Sequence, residues 1–326
     1  MAQHLLADLI RQSGSVVIDG AMSTALEKAG CDLNDKLWSA RVLIEEPDKI
    51  RQVHADYFEA GANVAITASY QATEVGFKER GIDSQKAYGL IAQSVTLARE
   101  ARDDFLIRHP EREPKTLLIA GAVGPYGAYL ANGAEYTGDY HLSEGQYRTF
   151  HQLRMKALTE AGADFFAVET QARLDEVRVI LSMMEELDMT AWVTFTLKDS
   201  GHIADGTPIE EVAEVCGKHP LVDAVGVNCV KREMVADALQ RISSVTDKPM
   251  IVYPNSGETY DPTTKTWHHP VSGPGWADFV SKWKAMGAVC LGGCCRTLPS
   301  DIVQIAELMK ARHCCLLYTS DAADEL

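Results

Sequence analysis

Eight short apolar runs recur along the chain, each followed by a stretch long and polar enough to form a surface helix. This alternation constrains the fold more than any other feature. The runs are Val16–Asp19, Val64–Ser69, Leu117–Ala122, Phe165–Glu169, Trp192–Leu197, Ala224–Cys229, Met250–Tyr253 and Ala288–Gly292. A nearly continuous apolar strand is what burial on both faces requires, and that is the condition of a parallel sheet. Helical stretches lie between them, among them Pro47–Glu59, Gln146–Glu160, Leu174–Leu187, Met234–Ile242 and Pro299–Lys310. Strict alternation implies βα units, and eight of them predict an α/β fold built as a single (β/α)8 TIM barrel. Residues 1–312 are read as that one domain. Residues 313–326, an apolar scrap with an acidic end, are read as a non-native C-terminal extension.

The joins are unequal. Helix-to-strand joins are short and repeat a refrain: Ala60-Gly61-Ala62, Ala161-Gly162-Ala163, Met286-Gly287-Ala288. Glycine there ends a helix in a left-handed turn. Strand-to-helix joins are long and rich in Gly, Tyr, Asn and His: Gly124–Glu144, Lys198–Thr207 and Pro254–Pro274. Long ordered connections in a compact domain usually serve function, and barrel enzymes place their chemistry at the C-terminal strand ends. The asymmetry therefore names the active face before any motif is consulted.

Charge and compartment narrow the partners. The chain carries 31 Lys+Arg against 46 Asp+Glu, a formal charge of −15, with the acidic residues scattered. This argues against nucleic acid and anionic membrane surfaces. Met1–Leu9 has no basic region and an early Asp8, so no secretory signal is expected. The longest apolar stretch, Leu117–Leu130, is broken by Gly121, Gly124, Pro125 and Gly127, which rules it out as a membrane span. A cytoplasmic setting follows, in which thiols serve as metal ligands, catalytic groups or core rather than disulfides. Nothing in the pattern specifies an oligomeric state.

The strongest chemical signal is Gly292-Gly293-Cys294-Cys295-Arg296-Thr297, closing the last strand. Neighbouring residues of a regular strand point to opposite faces, so two adjacent thiols converge only where the strand gives way to a turn. The two glycines are read as supplying backbone freedom for it. Cys229 ends the sixth strand, next but one to the eighth in a closed barrel, so the three thiols face one another at the mouth. Three thiolates suit Zn2+ and leave a fourth position open, the mark of a catalytic site. Against this stands the reading of all three as small buried hydrophobes. That reading is preferred for Cys31, in a polar stretch, Cys216, on a helix, and Cys290, inside a strand.

Taken together and in order, several motifs resemble the homocysteine S-methyltransferase family, closest to its bacterial S-methylmethionine-dependent members. They are Asp19-Gly20-Ala21-Met22, Ile66-Thr67-Ala68-Ser69-Tyr70-Gln71, Gly124-Pro125-Tyr126-Gly127, Glu169-Thr170, Gly226-Val227-Asn228-Cys229, Tyr253-Pro254-Asn255-Ser256-Gly257 and Gly292-Gly293-Cys294-Cys295-Arg296. The likeness runs from about Val17 to about Ile305. It implies a (β/α)8 barrel with zinc held by Cys229, Cys294 and Cys295. It also implies homocysteine's amino group held by carboxylates at Asp19 and Glu169. Asn228 is expected either to orient the substrate carboxylate or to position Cys229.

The reaction implied moves a methyl group from a sulfonium, S-methylmethionine or S-adenosylmethionine, onto homocysteine to give methionine. Betaine as donor and selenocysteine as acceptor remain open alternatives, as does a non-catalytic zinc or redox-sensing protein. A lysine-dependent lyase would want an inward lysine at a strand end, and only Lys198 follows a strand directly. Tyr70, Tyr126, Tyr129, Tyr136 and Trp267 sit in active-face loops, where aromatic faces stabilise a sulfonium or simply pack loops. His268 and His269, adjacent in a polar loop without a companion ligand, are read as solvated.

Overall fold

Eight parallel strands close on themselves with helices outside. In the computed structural model, residues 2–33, 37, 39–261, 266–268 and 275–311 are described, with backbone alone at 259–261 and 266–268. The barrel strands are β1 (Val16–Val17), β2 (Val64–Ile66), β3 (Leu118–Val123), β4 (Phe165–Gln171), β5 (Ala191–Phe195), β6 (Val222–Asn228), β7 (Met250–Tyr253) and β8 (Ala288–Leu291). Their order in the sheet is β1-β8-β7-β6-β5-β4-β3-β2. A parallel bridge between Ile18 and Val64 joins the two ends, helped by Asn63 N donating to Val17 O at 2.7 Å. All eight expected strands are present. Their ends differ by at most three residues, most at β2, where the chain leaves the sheet after Ile66.

Side chains alternate along each strand. On β4, Phe165 and Ala167 join the apolar filling of the barrel with Val16, Leu118, Trp192, Ala224, Ile251 and Cys290. Phe166 and Val168 face the helices instead and belong to the larger outer core. At the bottom, helix Leu5–Ser13 lies across the opening and buries Leu6 and Leu9 among the barrel's inner residues. Sealing that end leaves the opposite rim as the open one.

The short joins behave as their glycines demand. Gly61, Gly162 and Gly287 have φ of 100°, 83° and 94°, the left-handed region in which a Cβ is penalised. The residue two positions on does further work. Asn63 Oδ1 accepts from Val17 N at 3.0 Å and Asp164 Oδ2 from Ile119 N at 2.7 Å, each tying one strand's start to its neighbour.

The long joins carry structure of their own. Between β3 and helix Glu144–Glu160 lie two short helices, Tyr126–Leu130 and Ala134–Thr137. After β5 a small antiparallel hairpin pairs Leu197–Asp199 with His202–Ile203. Residues 313–326 lie outside the described residues.

Candidate metal and substrate site

A cavity opens at the C-terminal ends of the strands, where the long joins converge. Its walls include Met22, Tyr70, Tyr136, Glu169, Thr170, Cys229, Tyr253, Cys294 and Cys295, and it encloses about 690 Å³ counted to its open mouth.

The three thiols meet there. The sulfurs of Cys229, Cys294 and Cys295 all lie within 4.8 Å of one another, with Cys229 Sγ and Cys295 Sγ 3.4 Å apart. Tetrahedral zinc at about 2.3 Å per sulfur implies sulfur–sulfur separations of about 3.8 Å, so the trio fits such an ion. Among the described residues no fourth Cys, His, Asp or Glu completes the cluster.

The way the backbone delivers these sulfurs was only half visible in the sequence. On β6, Val225 and Val227 point to the outer core. Strict alternation would send Cys229 the same way. Instead Cys229 adopts φ +54°, a left-handed conformation uncommon outside glycine, and its sulfur turns to the mouth. For the Cys294–Cys295 pair, backbone freedom at Gly292 and Gly293 was the expected device. That expectation is corrected: neither glycine has positive φ, and the left-handed residue is Arg296, at +68°. The glycines are needed for space. A Cβ on Gly293 would stand 2.4 Å from Thr297 Oγ1, and one on Gly292 2.7 Å from Ile18 Cβ. Arg296 anchors the turn through its Nε, 2.7 Å from Glu258 Oε2.

The three thiols differ in acidity. Hydrogen bonds from Cys229 and Cys294 hold the Cys295 thiol well below its usual value. Hydrogen bonding to Cys229 and Cys295, together with burial, pushes Cys294 up. A pocket that already favours one thiolate suits a positive charge among the three sulfurs. Tyr136, from the short helix Ala134–Thr137, places its hydroxyl 3.3 Å from Cys229 Sγ. Charge on Cys229 and burial keep that phenol protonated.

Two carboxyl groups lie at the strand ends, Glu169 in the cavity wall and Asp19 outside it. Glu169 continues the inward alternation of Phe165 and Ala167 and lines the cavity. Burial pushes its carboxyl up to about 8, although its Oε2 accepts a hydrogen bond from Tyr253 OH at 3.1 Å. Asp19 is 2% exposed. One of its oxygens accepts Ile66 N–H at 2.8 Å, while the other is buried with no partner among the described residues. Burial raises its carboxyl well above the usual range.

Asn228 is fully buried behind the wall, with both ends of its amide bonded to Thr170. Of the other expected residues, Tyr70 and Tyr136 line the cavity, whereas Tyr126 and Tyr129 pack with Phe150. The side chains of Trp267 and His268, and all of His269, lie outside the described residues. Lys198 is exposed, away from the barrel's interior. Cys216 and Cys290 are fully buried, and burial raises both thiols, Cys216 to about 12. Both behave as core, as does the buried Cys31.

A buried polar network behind the rim escaped the sequence reading. Glu176 accepts from His151 Nε2 at 2.8 Å, Tyr126 N at 2.7 Å and Tyr140 OH at 2.7 Å. Arg154 bonds His151 Nδ1 at 2.8 Å and donates to the carbonyls of Tyr70 and Gly124 at 2.8 and 2.6 Å. Its signal was present: His151 and Arg154 sit on the buried stripe Tyr147, Phe150, His151, Arg154, Met155, Leu158, where helical spacing calls for apolar residues.

Comparison with known proteins agrees with this geometry. A family model described as homocysteine S-methyltransferase matches residues 16–309. The homocysteine S-methyltransferase of Escherichia coli (strain K12) is 48% identical over 302 residues, 92% of this chain and 97% of the relative. Homocysteine S-methyltransferase YbgG of Bacillus subtilis (strain 168) is 48% identical over 294 residues, 89% of this chain and 93% of the relative. The solved structure of homocysteine methyltransferase MmuM from Escherichia coli in its metallated form superposes with a TM-score of 0.84 at 45% identity. That match covers 93% of this chain and 99% of that one.

Proposed function

We propose a function that starts from one fact, that the chain belongs to the homocysteine S-methyltransferase family and is a methyltransferase acting on homocysteine: it holds zinc through Cys229, Cys294 and Cys295 and takes its methyl group from a sulfonium, S-methylmethionine first and S-adenosylmethionine second. The observation that carries this reading is the three-sulfur cluster lining the same cavity as Glu169.

When bound, zinc supplies the Lewis acidity that lets the acceptor's thiol lose its proton near neutral pH. The chain's own residues do the rest. Glu169 and Asp19 hold the acceptor's ammonium group. The carboxyl form that burial favours in each gives way to carboxylate when a cation arrives. That contact fixes the acceptor's amino end while its sulfur lies among the cysteines. Tyr136 donates its hydroxyl to Cys229 Sγ and lines the cavity.

Transfer is an in-line displacement. A bond forms between the acceptor sulfur and the methyl carbon, the bond from that carbon to the sulfonium sulfur breaks, and its electron pair stays on the departing thioether. With S-methylmethionine both products are methionine. The leaving group is neutral and needs no proton, so no general acid is required. Opposite charges cancel as the methyl moves, which the largely apolar walls around Met22, Ala68 and Tyr70 favour.

Among the described residues, no helix is long and apolar enough to cross a membrane. A cytoplasmic location, where thiols stay reduced, fits the free cysteines of this cluster. Purified protein incubated with homocysteine and, separately, S-methylmethionine, S-adenosylmethionine or betaine, before and after chelation, tests the reading through the methionine formed. Chelation is expected to abolish turnover. Methionine formation that survives complete metal removal would overturn it.

A further inference from the structure

Asn228 and Thr170 form a cross-link between two strand ends. Asn228 Oδ1 accepts Thr170 N–H at 2.7 Å, and Asn228 Nδ2 donates to Thr170 Oγ1 at 2.8 Å. Asn228 is fully buried and Thr170 is 3% exposed. Their strands, β6 and β4, are not neighbours; β5 runs between them. The pair therefore spans from one to the other past the end of β5.

The local backbone is unusual on both sides. Thr170 has φ +56°, a conformation that β-branched residues adopt only where their surroundings enforce it. The register between β4 and β5 shifts across the two residues between Val168 and Gln171, which turns the second of them inward beside the first. Those two are Glu169 and Thr170, and both line the cavity. On the other strand, Asn228 is followed at once by Cys229, which is also left-handed and also lines the cavity. The two hydrogen bonds thus tie the segment carrying the carboxyl group to the segment carrying a sulfur.

We propose that this clamp is a ruler for acceptor length: by fixing Cys229 relative to Glu169, it selects an α-amino thiol as long as homocysteine over those one methylene shorter or longer. The inference rests on the reading above, in which the acceptor's sulfur lies at the cysteines and its ammonium at Glu169. One methylene changes that span by a bond of roughly 1.5 Å, and a misplacement of about 1 Å at a reacting centre reduces rate by as much as a hundredfold. A spacing fixed by two short, dry hydrogen bonds discriminates on that scale, whereas a frayed strand end does not.

The test measures kcat/KM for homocysteine, cysteine and the acceptor with one extra methylene, alongside metal per chain and circular dichroism. Asn228→Ala removes both bonds, Thr170→Val removes one, and Thr170→Ser keeps both. Asn228→Ala and Thr170→Val are expected to keep the metal and lose about tenfold or more of the preference for homocysteine, while Thr170→Ser keeps the wild-type ratio. If one variant fails to fold, the other still decides. Equal loss with all three acceptors, metal loss in the folded variants, or a ratio altered as much by Thr170→Ser as by Thr170→Val overturns the proposal while the reading of the site stands. Wild-type protein that forms no methionine from homocysteine overturns both.

Discussion

Replacing Glu169 by glutamine should stabilise the ligand-free protein at neutral and alkaline pH while weakening its hold on the acceptor. Burial pushes this carboxyl from 4.5 up to about 8, so the folded state binds its proton more tightly than the unfolded chain does. Below about pH 4.5 the group is protonated in both states and contributes nothing. As pH rises towards 8, ionisation in the unfolded chain alone drains stability, and above 8 the loss is complete. At roughly 1.4 kcal/mol per pH unit, the penalty is about 3 kcal/mol at pH 7 and about 5 kcal/mol beyond pH 8. Glutamine matches the shape and keeps an oxygen for Tyr253 OH but never ionises. Denaturation of metal-free wild type and Glu169→Gln, measured from pH 5 to pH 9, should give curves that nearly coincide at the acid end. They should separate in the variant's favour as pH rises, and KM for homocysteine should rise in the same variant. Stability profiles that stay parallel across that range would refute the assignment of Glu169 as a desolvated carboxyl held ready for a cation.

Other outcomes follow from packing and charge. Arg154→Met removes the buried cation linked to Glu176 through His151 and leaves two carbonyls without their donor, and should cost about 3–5 kcal/mol in denaturant unfolding; adding Glu176→Leu should recover part of it. A Cβ on Gly226 would stand 1.7 Å from Ile251 O, so Gly226→Ala should separate β6 from β7 and yield little soluble protein, detectable as lost expression and lost metal together. Leu6→Ala, in the helix that seals the barrel's bottom, should cost about 3 kcal/mol in thermal or denaturant unfolding while leaving KM for homocysteine unchanged.

How much the sequence disclosed depended on whether a feature follows from periodicity. The strands of the barrel and the left-handed glycines at the short joins are consequences of regular geometry, and both were legible. So was the gathering of Cys229, Cys294 and Cys295, because strand ends in a closed barrel have fixed neighbours. What was not legible arises where regularity breaks. The left-handed turns at Thr170, Cys229 and Arg296 carry no glycine to announce them; hydrogen bonds from distant segments enforce the first, and no local rule foretells such bonds. Glycine in Gly292-Gly293 was read as freedom when its use is closeness, since a local pattern does not say which atoms will press against it. His151, Arg154 and Glu176 were overlooked for a related reason. A charge on an apolar stripe looks like an imperfection until its partner on the next helix is known.

Metal content across a cysteine series addresses the central claim most directly. Wild type should bind one zinc per chain, and Cys229→Ser, Cys294→Ser and Cys295→Ser should each lose that ion and the formation of methionine together, while Cys216→Ser keeps both. A folded Cys294→Ser protein that retained a full equivalent of zinc and wild-type turnover would contradict the account.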